Sequence, residues 1–70
     1  MMIMIPVDSS NLAAVGYDAA SAVLRIAFHS GGVYQYAGVP ETVYQGLMNA
    51  SSKGRYFHAH IRNTYRYMRC

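Results

Sequence analysis

Basic and aromatic side chains crowd the last third of the chain, where Lys53, Arg55, Tyr56, Arg62, Tyr65, Arg66, Tyr67 and Arg69 alternate over seventeen positions. Guanidinium and ammonium groups pair with phosphates, and phenol rings offer π faces on which bases of any identity stack. That combination is the chemistry of sequence-tolerant single-strand binding. Residues 51–70 carry five basic groups and no acid, whereas residues 1–50 carry Arg25 against Asp8, Asp18 and Glu41. The net charge of +3 is thus concentrated at one end of the chain. The candidate phosphate contacts are Lys53, Arg55, Arg62, Arg66 and Arg69. The candidate stacking rings are Tyr56, Tyr65 and Tyr67, joined by Tyr36 from the central VYQY stretch. The plain alternative is a solvated helix and tail whose rings pack inward.

Other chemistries find fewer residues. His58 and His60 form an HxH pair, but residues two apart on a helix lie about 200° around its axis, so only a strand would aim both at one metal. His29 beside Ser30, and Asp8 beside Ser9, supply the residue types of a hydrolase triad. A nucleophile also needs a strand-to-helix elbow and an oxyanion hole, and Ser30-Gly31-Gly32 in a hairpin provides neither. Cys70 follows Arg69, which can lower a thiol pKa, yet a terminal thiol is ordinarily just exposed. No catalytic residues, metal or cofactor are therefore expected, and the chain reads as a non-enzyme.

Seventy residues suffice for one domain, near the lower limit at which a single core holds a fold without staples. The lone cysteine excludes an intramolecular disulfide and suits a reducing cytoplasm. Met1 to Val7 is apolar but lacks a basic lead, contains Pro6 and meets Asp8 well before membrane length. A soluble cytoplasmic protein without a membrane role is the expectation. Charged residues make up 13% and hydrophobic ones 53%, a balance that favours folding over disorder.

The elements that must position these groups follow from periodicity. Residues 1–7 read as an extended arm, and Asp8 to Asn11 as a turn. A strand is expected from Leu12 to Tyr17, and a second from Ala22 to His29, where Leu24, Ile26 and Phe28 alternate with polar or small residues. Ser30, Gly31 and Gly32 then form a tight hairpin leading to a strand from Val33 to Ala37. A three-residue loop closed by His29 and Val33 would set Phe28 opposite Tyr34 and Ile26 opposite Tyr36, with the tyrosines largely against the core. At least one of the two glycines should take a positive φ. Pro40 suits the first turn of a helix running to Ala50, with Val43, Tyr44, Leu47 and Met48 on its apolar stripe. Ser51 or Ser52 caps a second helix ending near Arg62 or Asn63, with Phe57 and Ile61 on its inner side. The tail over residues 62–70 is either a last strand or an ordered extension.

The succession SSN (Ser9 to Asn11), GYD (Gly16 to Asp18), the alternating LRIAF strand, YQY, GVP, the pair Ser52 and Gly54, and IRNTY is similar to the KTSC domain. The likeness runs from about Pro6 to about Tyr67, and Tyr34 and Tyr36 match the family's central tyrosine pair. This bacterial family is named after a C-terminal extension of some lysyl-tRNA synthetases, and it also occurs as free-standing proteins of about this size. The resemblance carries over no catalytic residues. It implies RNA or tRNA as a partner, through the company of a tRNA synthetase.

The expected fold is α+β: one domain, residues 1–70, with an antiparallel meander of three strands, or four with arm or tail, and two short helices on one face. Leu24, Ile26, Phe28, Val43, Leu47, Phe57 and Ile61 should form its core. Two functional classes stay open. One is a nucleic-acid-binding module using the basic, tyrosine-rich third. The other is a protein-interaction module or small homodimer that docks through an exposed strand or the apolar arm, Met1 to Ile5.

Overall fold

The computed structural model describes residues 2–70; Met1, the first residue of the expected arm, lies outside the described residues. Five strands and two helices follow in the order β1 (Ile5–Pro6), β2 (Leu12–Asp18), β3 (Val23–Phe28), β4 (Val33–Tyr36), α1 (Glu41–Asn49), α2 (Lys53–His60) and β5 (Tyr67–Arg69). The strands form one antiparallel sheet in sequence order. The expected α+β meander is therefore present, but with five strands rather than three or four. Both the arm and the tail pair, because each covers an edge whose N–H and C=O groups would otherwise be left to solvent.

Local chemistry sets the turns. Ser9 Oγ accepts from the backbone N–H groups of Asn11 and Leu12, each at 3.2 Å, and starts β2. Asp18 ends it, accepting from Ala20 N at 3.2 Å and from the Ser21 hydroxyl at 2.8 Å. In the next hairpin Gly31 N donates to Phe28 O at 2.9 Å, and Gly31 takes φ +106°. The loop is three residues long, as expected, but it is closed by Phe28 and Gly32 instead of His29 and Val33. Ile26 therefore lies opposite Tyr34 and Leu24 opposite Tyr36, a register two residues from the expected one. A slip of two keeps every side chain on its face, so the tyrosines still point toward the helices.

A bulge between Leu12 and Ala14 lets Leu12 and Val15, three apart, both reach the core. The helices follow from their caps: Pro40 precedes α1 at the capping position, and Ser52 Oγ accepts from Arg55 N at 3.4 Å at the start of α2. Leu24, Ile26, Leu47, Phe57 and Ile61 are buried as expected, together with Leu12, Val15, Tyr36 and Val39; Phe28 and Val43 are only partly buried. On the opposite sheet face Arg25 Nη2 donates to Gln35 Oε1 at 2.7 Å. Met2 and Met4 lie over Gly16 there, where a Cβ would come within 2.6 Å of the Met4 sulfur. Among the described residues no helix is long and apolar enough to cross a membrane.

Candidate nucleic-acid interface

The last strand decides the site. β5 pairs with β4 so that Tyr67 lies opposite Tyr36 and Arg69 opposite Tyr34. Directly opposed residues share a face, so Tyr67 and Arg69 stand on the helix-facing side beside the two β4 tyrosines, while Met68 points the other way. Period two in a basic and aromatic tail thus sorts its side chains onto one surface.

Five rings close a circuit there. The centroids of Phe28 and Tyr34 are 5.8 Å apart, of Tyr34 and Tyr67 5.6 Å, and of Tyr67 and Tyr36 5.8 Å. Tyr36 lies 5.6 Å from Phe57, which returns to Phe28 at 5.4 Å. The contacts of Phe57 with Phe28 and Tyr36 are edge-to-face, the arrangement that ring quadrupoles favour. Between them opens a recess of about 340 Å³, whose remaining lining is Arg62 and Asn63.

The turn after α2 places those two residues. Ile61 N and Arg62 N both donate to Phe57 O, and Thr64 N and Tyr65 N donate to Ile61 O. This second tight turn, anchored by buried Ile61, carries Arg62 and Asn63 over the rings before the chain enters β5. Arg62 Nη1 donates to His58 Nδ1 at 3.2 Å one helical turn earlier. The Arg69 guanidinium lies 6.0 Å from the Tyr34 ring centroid, within cation–π range.

The hydroxyls differ in a way that matters. Tyr36 is only 4% exposed, yet its hydroxyl has no hydrogen-bond partner among the described residues and is not sealed from solvent. Burial pushes its pKa above the ordinary tyrosine value, with Tyr67 and Tyr34 adding to the rise and Arg62 opposing it. The phenol is therefore neutral at pH 7, able both to donate and to accept.

The nine candidate contact residues fall into separate groups. Tyr36, Arg62 and Tyr67 line the recess, and Arg69 stands at its edge. Arg66 is exposed on the adjoining surface with Arg62 and Tyr67, and Tyr65 is half-buried against the core. The other three lie elsewhere. Lys53 Nζ donates to Ala50 O at 3.2 Å and closes the end of α1, and Arg55 lies beside Ser10 and Asn11 at the start of α2. The hydroxyl end of Tyr56 packs against Gly46 of α1, where a Cβ would overlap it, and the ring meets His60 with centroids 4.5 Å apart. His58 and His60 thus serve different neighbours, and among the described residues no three potential ligands gather to hold a metal ion. His29 Nε2 lies 2.9 Å from Ser9 O, tying the hairpin to the first turn. Phe28, Tyr34, Phe57 and Asn63 were not among the candidate contacts. Alternation already placed Phe28 and Tyr34 on the face of Tyr36, but recognising them as a site required β5 and the turn before it.

Comparison with known proteins agrees with this architecture. The KTSC domain model matches residues 8–65. The chain belongs to the KTSC domain family. Its similarity to the crystal structure of a KTSC domain protein from Yersinia pestis covers 100% of this chain and 99% of that one, with 40% identity and a TM-score of 0.98. An uncharacterised protein of Stutzerimonas stutzeri is 39% identical over 66 residues, covering 93% of both chains. A lysine–tRNA ligase of Nostoc is 40% identical over 60 residues, which are 86% of this chain but 11% of the ligase. KTSC domains thus occur both in proteins of this size and within much longer tRNA ligases.

Proposed function

We propose that this KTSC domain is a non-catalytic cytoplasmic module that binds single-stranded RNA on the surface formed by β4, β5 and the turn after α2. The observation that carries the reading is the convergence of Arg62, Arg66 and Arg69 around an open cluster of rings. The arginines would hold phosphates while Tyr67, 62% exposed, stacks on a base. A relative joined to a lysine–tRNA ligase supports RNA as the partner, since tRNA is what that enzyme acts on. Lys53, Arg55 and Tyr56 stand outside this contact set.

The test is a titration of the whole chain with single-stranded RNA, tRNA and duplex DNA at two salt concentrations. Each single-strand phosphate contact contributes about −0.7 to the slope of log affinity against log salt, so three arginines give roughly −2. Arg62→Ala should weaken binding to all sequences and flatten that slope by about 0.7. Absence of RNA binding even at low salt would sink the proposal. A second reading, docking of a protein partner, is favoured by the exposed apolar residues Ile3 and Ile5 at the β1 edge.

A further inference from the structure

Ring-lined recesses suit two different occupants. Ring faces attract a methylated ammonium through cation–π interactions, and they also sandwich a flat, unpaired base. Charge separates the two. Arg62 lines the recess, Arg69 stands over Tyr34, and among the described residues no carboxylate lines it. A cation would therefore enter against two guanidinium groups with nothing to offset them, whereas a phosphate would be drawn to the rim.

The polar groups favour the same occupant. The Tyr36 phenol lies among the rings without a hydrogen-bond partner among the described residues, although the residue as a whole is only 4% exposed. Because that hydroxyl opens into the recess instead of being spent on the fold, it is free to bond a ligand there. Asn63, which also lines the recess, presents an amide with both donor and acceptor. A neutral phenol and an amide match the donor and acceptor edge of a nucleobase. The volume of about 340 Å³ is near the small end of ligand pockets, which start at about 300 Å³. A recess of that size is of the order of one nucleotide.

We infer that the recess is a single-nucleotide site in which one unpaired base stacks on the Tyr34 and Tyr67 rings at its mouth, its edge hydrogen-bonds Tyr36 and Asn63, and its phosphate pairs with Arg62 and Arg69. This rests on the nucleic-acid reading and goes beyond it, because the smallest sufficient ligand is then a free nucleoside monophosphate. Chain length adds phosphate contacts, while the base supplies the anchor.

The test follows the aromatic ring resonances of the whole chain by NMR during titration with adenosine 5′-monophosphate, uridine 5′-monophosphate, ribose 5-phosphate and trimethyllysine. At least one nucleotide should shift the Tyr34, Tyr36 and Tyr67 ring signals and bind at least tenfold more tightly than ribose 5-phosphate. Tyr36→Phe, which keeps the ring and removes only the hydroxyl, should weaken that nucleotide about two- to tenfold at an unchanged fold, the range expected for one hydrogen bond. Ribose 5-phosphate binding as tightly as the tighter of the two nucleotides would overturn the base site, and trimethyllysine binding more tightly than both nucleotides would replace it with a cation cage. If single-stranded RNA saturates the protein while both nucleotides leave the ring signals unmoved, the single-nucleotide site falls and RNA binding stands. Failure of RNA and nucleotides alike overturns both.

Discussion

Tyr17 and Tyr36 lie on either side of Leu24 in one row across the sheet, on the same face, yet they meet opposite fates. The Tyr17 ring stacks on Tyr44 of α1, with centroids 4.7 Å apart and planes 9° from parallel, and its hydroxyl donates to Val39 O at 2.6 Å. Every group of that residue is used within the fold. Tyr36 meets Phe57 edge-on and Tyr67 at a tilt, and its hydroxyl is left to an open recess. The difference teaches that aromatic content does not identify a binding surface. What does is whether the rings and their hydroxyls are consumed by the fold, and here α1 closes one side of the row while the turn after α2 leaves the other open.

The sharpest way to break this comparison is to truncate a ring on each side. Tyr17→Ala removes a stack and a hydroxyl bond in a half-buried position and should cost about 2–4 kcal/mol in urea unfolding. Tyr67→Ala, on an exposed edge strand, should cost less than about 1 kcal/mol while weakening RNA binding by about 1–3 kcal/mol. Equal stability losses from the two variants would show that the open cluster is as structural as the closed one.

A smaller effect is expected in the hairpin before β4. Gly31 has φ +106°, and a Cβ there would meet nothing within 4 Å, so Gly31→Val is opposed by the backbone alone and should cost more than ~1 kcal/mol. At Gly32 a Cβ would stand 2.9 Å from the Tyr34 ring. Gly32→Ala should therefore displace that wall of the recess, visible as a shift of the Tyr34 ring resonances. Thermal melting of both variants, read with those resonances, checks the assignment. An unmoved Tyr34 signal in Gly32→Ala would contradict it.

The smallest effect lies at alkaline pH. Burial raises the pKa of both tyrosines, helped at Tyr17 by the charges of Glu41 and Asp18 and opposed at Tyr36 by Arg62. Unfolded tyrosine ionises near pH 10, before the folded residues do, so the unfolded state binds fewer protons there. Their contribution to stability is thus complete below about pH 10 and declines as pH rises through the higher folded values. Arg62→Ala should push the Tyr36 titration higher still and leave that of Tyr17 in place. Following the assigned ring resonances of Tyr17 and Tyr36 in the variant by NMR against pH measures both, and a joint shift would mean that Arg62 is not specific to the open side.

Much of this was legible in the chain itself. The alternation from Leu24 to Phe28, the paired tyrosines of VYQY, the serine cap at Ser52 and the stripe through Leu47 are local patterns, and local steric and hydrogen-bonding preferences suffice to turn them into a strand, a hairpin and two helices. Composition likewise marked residues 51–70 as basic and aromatic. Only the tertiary structure decided which of those groups meet. The pairing of β5 with β4, the slip of two in the hairpin register and the bulge between Leu12 and Ala14 depend on contacts between distant segments, whose competing registers differ little in local energy. The recess joins residues from Phe28 to Tyr67, and the same packing that gathers them sends Lys53, Arg55 and Tyr56 elsewhere, because a helix places neighbours in sequence on different sides of its axis.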